Sequence, residues 1–206
     1  AGDADVFPFP CFLSDVSGTH DIPLKGSAPT YYDVNEAAVT TGDGVEFNIT
    51  LSELQRVTAL ALGSTPGGSG GVLVFDSPLS QSFTDIGQNP NPPQSDIAII
   101  ESADVLVPNI LSATLNYSTG ILILQGSETI DTTPDSFVDL SKYHLSESTG
   151  ANTINLAGAT ITTALDSPDV TIALTEAQRA ATVVRSSTPG GDGTAIVLDV
   201  TAAGCR

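Results

Sequence analysis

The chain has 206 residues, 24 of them acidic and only 6 basic, for a formal net charge of −18; apolar residues make up 40%, and Trp and Met are absent. Such a surface repels nucleic acid phosphates and anionic membranes, which excludes both as partners, and no apolar run reaches the roughly 18 residues of a membrane-spanning helix. With 4 Tyr and 7 Phe, the aromatic platforms of sugar clefts are scarce, so lectin and glycosidase functions lose ground.

An internal repeat divides the chain into two domains of about 100 residues, each long enough to bury a core. ITLSELQRVTAL at residues 49–60 superimposes on IALTEAQRAATV at residues 172–183 with an offset of 123. The same offset carries Ser64-Thr65-Pro66-Gly67-Gly68 onto Ser187-Thr188-Pro189-Gly190-Gly191 and LVFD (73–76) onto IVLD (196–199). Upstream, LSDVSGTHDIPLKGS (13–27) superimposes on LSESTGANTINLAGA (145–159) at an offset of 132, so the first copy holds nine extra residues, expected around residues 29–44.

Short runs rich in Thr, Val and Ile, punctuated by 19 Gly and 13 Pro, predict an all-β chain. The first copy spans residues 1–76. It opens on Ala1 with neither an initiator Met nor a basic-then-apolar leader, as expected of a processed, soluble, secreted chain. The insertion brings Tyr31 and Tyr32, a candidate contact surface or a loop-packing pair. In VEFNITL (45–51), Val45, Phe47, Ile49 and Leu51 share one strand face, and Asn48 faces the other way with Glu46 and Thr50. Asn48-Ile49-Thr50 is an N-glycosylation acceptor, and Asn48 is expected to be exposed. Ser52-Glu53-Leu54-Gln55 fits a capping box and starts a short helix, on which Glu53 and Arg56 are spaced to pair. Residues 77–104 form a connector in which Pro90, Pro92 and Pro93 precede an apolar stretch.

The second copy spans residues 105–206. Runs at 110–117 and 121–130 flank Ser118-Thr119-Gly120, the signal of a hairpin. Asn116-Tyr117-Ser118 is a second glycosylation acceptor. Further strands are predicted at 137–146, 153–165, 170–174 and 194–201, with a second capping box, Thr175-Glu176-Ala177-Gln178, before the last of them. The first copy has no counterpart of the opening hairpin. A sheet lacking those strands exposes an apolar groove and unpaired edge amides, which native proteins cover, so either the connector or a strand from a neighbouring molecule fills the gap.

Cys11 and Cys205 are the only cysteines. By the offsets they correspond to Tyr143 and Ser82, so neither copy has a pair of its own, and a disulfide joins the two copies or one molecule's tail to another's head. With only His20 and His144 as further soft ligands, a tetrahedral zinc site is not expected. Asp131, Asp135 and Asp139, and the pair Asp166 and Asp169, lie near turns where oxygen ligands for calcium could converge, though none matches an EF-hand. No nucleophile elbow, P-loop or His-Glu-x-x-His motif is present, and the Pro-Gly-Gly segments lack the Lys and Ser/Thr of a phosphate loop, so they read as connections. No cofactor other than calcium is suggested.

The order LNYSTGILIL, SFVDLSKYHL, TINLAGATIT, VTIALTEAQR and AIVLDVTA resembles the immunoglobulin-like repeats strung along large secreted surface proteins, adhesins and extracellular fibres. The resemblance implies two immunoglobulin-like β-sandwich domains in tandem, each with one short helix before its last strand. It also implies a structural rather than enzymatic role at the cell surface or in a fibre. The expected function is therefore head-to-tail assembly with other copies of itself into an extracellular filament or coat. A calcium-stiffened adhesin whose loops or Tyr31-Tyr32 surface contact a ligand or another surface protein is the alternative.

Overall fold

The structure, a computed structural model, describes residues 11–18, 22–24, 38–39, 45–78, 80, 82–191 and 193–201. The chain divides into two units, Ala1–Val105 and Leu106–Arg206, so the connector belongs to the first. Both are built mainly from antiparallel strands with one short α-helix each among the described residues. No helix among those residues is long and apolar enough to cross a membrane.

The first unit contains β1 (Phe12–Asp15), β2 (Ile22–Pro23), β3 (Ala38–Val39), β4 (Ile49–Thr50), helix α1 (Glu53–Leu62), β5 (Leu73–Ser77) and β6 (Gln94–Ala98). Its sheets run β2-β1-β5-β6 and β3-β4. The second unit contains β7 (Ile110–Asn116), β8 (Ile121–Ile130), β9 (Tyr143–Glu147), β10 (Ile154–Asn155), β11 (Thr160–Ile161), β12 (Ser167–Ala173), α2 (Glu176–Arg185) and β13 (Ile196–Val200). Its sheets run β10-β9-β13 and β11-β12-β8-β7.

The repeat holds at the level of strand register. Phe12 pairs with Pro23 and with Asp76, and its counterpart His144 pairs with Asn155 and with Asp199. Pro23 and Asn155 are 132 apart, Ala38 and Thr160 are 122 apart, and Ile49 and Ile172 are 123 apart. The extra residues of the first copy therefore enter between β2 and β3, and the second copy regains one residue between β11 and β12. Tyr31 and Tyr32 lie outside the described residues.

In the second unit both sheets contribute to one core. Leu122, Leu124 and Ile130 of β8 and Val170 and Ile172 of β12 meet Tyr143 and Leu145 of β9, Ile154 of β10 and Leu156. Each such fully buried side chain contributes roughly 1.5–3 kcal/mol. The first unit's core is smaller, with Cys11, Leu13, Ile22, Leu24, Ala59 and Leu73 buried and Ile49, Leu51 and Phe75 packed against them at half-burial.

Both helices start as the capping boxes predict. Ser52 N and Thr175 N donate to Gln55 Oε1 and Gln178 Oε1, both at 2.9 Å, while the two hydroxyls accept from the glutamine amides. The glutamines do more than cap. Gln178 Nε2 donates to Asn155 O and Ala157 O, both at 3.0 Å, and Gln55 Nε2 donates to Pro23 O and Leu24 O at 2.7 and 3.3 Å. One buried amide thus closes the helix start and ties it to the β2 or β10 strand.

The Pro-Gly-Gly segments are connections, as expected, and the structure gives each glycine a reason. Gly67 and Gly190 have φ of 99° and 97°, a left-handed conformation that side chains resist. A methyl group on Gly68 would overlap the Gly63 and Leu60 carbonyl oxygens, and one on Gly191 those of Ser186 and Val183. The turn folds back against the helix's last carbonyls, and only Gly fits.

Three expected strands are shorter or divided. Residues 137–146 begin with two short 3-10 turns, Asp135–Phe137 and Leu140–Lys142, before β9. The run at 153–165 splits into β10 and β11, which belong to different sheets, with the chain reversing at Gly158 (φ 87°). The apolar face of 45–51 is only partly buried: Ile49 and Leu51 pack on the core, whereas Val45 and Phe47 are exposed. The strand there is two residues long.

Candidate functional site

The opening hairpin of the second unit shows what β12 requires on its edge. β8 pairs along β12 from Val170↔Leu124 to Ala173↔Ile121, and β7 pairs along β8. The turn is set by Asn116, whose Oδ1 accepts from Ser118 N at 2.9 Å and Thr119 N at 3.3 Å. Arg179 of α2 donates to Tyr117 O at 2.8 Å, and Leu174 N donates to Gly120 O at 2.9 Å. The recurring acid and base pair of the helix thereby has a structural use. Glu176 holds the Arg179 guanidinium through two hydrogen bonds, 2.8 and 2.7 Å, and Arg179 holds the hairpin turn. Its twin Arg56 is held by Glu53 in the same way and reaches Asp104 instead, at 2.7 Å.

β4 is the counterpart of β12, and among the described residues only β3 pairs with it. The consequence is visible at one repeat position: Val170 is 1% exposed and Phe47, its equivalent, is 41% exposed. The connector does not replace the hairpin. It adds β6 to β5 in the other sheet, with Phe75↔Ile97 and Ser77↔Gln94 in register, and brings the Phe83 ring beside β4, its centroid 6.0 Å from that of Phe47. The sequence carried no clear sign of this placement, because Gln94–Ala98 is exposed along its whole length and alternates weakly.

Between connector and core lies a buried polar cluster. Ser77 Oγ donates to Ser82 Oγ at 2.8 Å, Asn91 Nδ2 donates to Ser77 Oγ at 2.9 Å, and Phe83 N donates to Asn91 Oδ1 at 3.0 Å. Cys11 joins them as a free, fully buried thiol. Burial pushes the thiol above its ordinary pKa, against the hydrogen bonds to Ser82 and Ser77 that lower it. Ser82 is the repeat equivalent of Cys205, so the two cysteine positions are neighbours within one unit; Cys205 itself, and with it the expected disulfide, lies outside the described residues. Among the described residues every buried side-chain nitrogen and oxygen has a hydrogen-bond partner.

The remaining candidates are separate. Asn48 and Asn116 are exposed, the latter engaged in its own turn. His144 is half-buried on β9, its Nε2 2.9 Å from Asn155 Nδ2; His20 lies outside the described residues. Asp166 Oδ1 accepts from Thr132 N at 2.9 Å and from the Thr133 hydroxyl, and Asp131 Oδ1 accepts from Thr133 N at 3.2 Å. Asp139 accepts from Ser141 N and Oγ at 3.1 and 2.6 Å, bonds that hold its carboxyl below the usual carboxylate range. Asp135 starts a 3-10 turn, and Asp169 N donates to Ser167 Oγ. Among the described residues no group of three or more His, Cys, Asp or Glu side chains is placed to hold a metal ion.

Comparison with protein-family models, with curated proteins and with solved structures finds no match to this chain.

Proposed function

We propose that the chain is a secreted structural protein, two immunoglobulin-like β-sandwich units in tandem that assemble head to tail into an extracellular filament or coat, with strand complementation at the first unit's short sheet. The observation that carries this reading is the contrast between Phe47 and Val170: the same repeat position is covered by β8 in one unit and exposed in the other. A short sheet with an apolar ring at its open side invites another strand, by the β-augmentation that joins protein to protein through main-chain hydrogen bonds. The resemblance to repeats of extracellular fibres agrees with it, as does the acidic surface, whose self-repulsion falls in saline surroundings. No observation favours the calcium-stiffened adhesin, since Asp131 and Asp139 accept hydrogen bonds within their own turns and Asp166 accepts from Thr132 N and the Thr133 hydroxyl. Electron microscopy of the assembled protein tests the proposal. Fibres with a repeat commensurate with two units are expected, and monodisperse particles at every concentration overturn it.

A further inference from the structure

The last residues of the connector are strapped to α1. Just beyond β6, Ile99 N donates to Leu73 O at 3.0 Å, and Ile99 packs on the first unit's core. Residues 100–104 then leave the sheet and belong to no strand or helix. Ile100 is 98% exposed, and Ser102 and Ala103 are exposed as well. Two carboxylates fasten the segment. Glu101 accepts from Ser64 N at 3.3 and 3.0 Å and from Ser64 Oγ at 2.9 Å, just past the end of α1, and Asp104 accepts from the Arg56 guanidinium at 2.7 Å, near its start. Arg56 and Ser64 are eight positions apart, about 12 Å along a helix, and the chain from Glu101 to Asp104 reaches at most about 11 Å. The segment therefore runs extended and antiparallel to α1.

A difference between the two copies shows that the Glu101 seat is specific. Gly63 follows α1 and Ser186 follows α2 at equivalent positions with nearly the same backbone, φ −69° and ψ 176° against φ −80° and ψ 164°. That conformation is open to any residue, so the backbone does not demand glycine at 63. The carboxylate does: a methyl group on Gly63 would overlap Glu101 Oε2.

We infer that residues 100–104 are a releasable strap, a small reserve of chain length between the two units: tension on the chain beyond Val105 detaches Asp104 and then Glu101, while β6 and the first unit's core stay folded. The anchors are loaded one after the other, because the strap is pulled from one end. Each is a contact between side chains or a side chain and one amide at the surface, and such contacts are weak singly. The Arg56 and Asp104 side chains are 34% and 27% exposed, so water and salt compete for the first anchor. What lies behind the strap is stronger: β6 is held to β5 by backbone pairing and Ile99 by the core. The inference goes beyond the assembly proposal and does not depend on it, since every contact of the strap lies within the first unit.

The test combines optical-tweezers extension of the full-length chain, pulled through bio-orthogonal handles at residues 16 and 109, with amide hydrogen exchange at Ser64. A reversible step of up to about 17 Å, the contour of five residues, is expected before either unit unfolds. Two variants open the second anchor. Gly63→Ser installs the residue of the second copy, whose backbone shows that a side chain is accepted there, and Glu101→Ala removes the carboxylate itself. In both, the step is expected at lower force, and the Ser64 amide is expected to exchange roughly tenfold faster, as losing a hydrogen bond to a charged group implies. A native chain that lengthens only when a whole unit unfolds overturns the inference, as does a step force or a Ser64 exchange rate that neither variant changes.

Discussion

Replacing Gln178 by Leu isolates the amide that joins helix to sheet. Leucine keeps the bulk and the helix propensity, but leaves Thr175 N, Asn155 O and Ala157 O without the partners they have at 2.9, 3.0 and 3.0 Å. Gln178 is 8% exposed, so water replaces those partners poorly. Losing the reciprocal cap contributes about 1 kcal/mol, and stranding two carbonyls contributes about 1 kcal/mol each after partial rehydration. The expected loss is about 3 kcal/mol. For a unit of about 100 residues this lowers Tm by roughly 12–20 °C. Urea denaturation followed by circular dichroism reads the change as a lower midpoint at constant m, with Gln55→Leu as the equivalent change in the first unit. A loss under about 1 kcal/mol for both would refute the clamp and reduce the glutamines to surface caps.

Gly191→Ala puts a methyl group against the Ser186 and Val183 carbonyls and is expected to cost about 1–3 kcal/mol by overpacking, read as a lower midpoint in the same assay. Cys11 is expected to resist alkylation in the native chain and to react within the dead time once unfolded. Because the folded thiol pKa is raised, its contribution to stability is complete below the unfolded value of about 8.5 and declines as pH rises from there; Cys11→Ser removes that alkaline slope. Glu176 is held below the ordinary carboxylate value by its hydrogen bonds to Arg179, so its contribution is present above about pH 4.3 and is lost as pH falls through the folded value. A Glu176→Gln variant is expected to show a shallower acid limb in a pH series of melting temperatures.

The parts of the fold that could be read in the sequence are those fixed by local chemistry or by duplication. The 123 and 132 offsets anticipated which positions of the two copies are equivalent, and equivalent positions share one register in β1, β2 and β5 and in β9, β10 and β13. The capping boxes named both helix starts, since the cap bonds lie within four residues. Side-chain reach across the sheet was hidden: nothing local tells Gln178 that Asn155 and Ala157 lie within 3.0 Å. Strand length at 153–165 was overestimated because alternation continues through Leu156 and Ile161 while the chain changes sheets. The placement of β6 escaped because an exposed edge strand needs no apolar pattern. The exposure of Phe47 beside β4 was not legible either, since its alternation reads in sequence as core.

Sedimentation velocity over a wide range of concentration, for the native chain beside Phe47→Asp, bears most directly on the claim that the first unit's short sheet is completed by another molecule. The native chain is predicted to grow with concentration, and the variant, with a charge on an already exposed position, to stay folded and monomeric. A native chain that sediments as one monomeric species throughout, or a variant that assembles equally well, contradicts it.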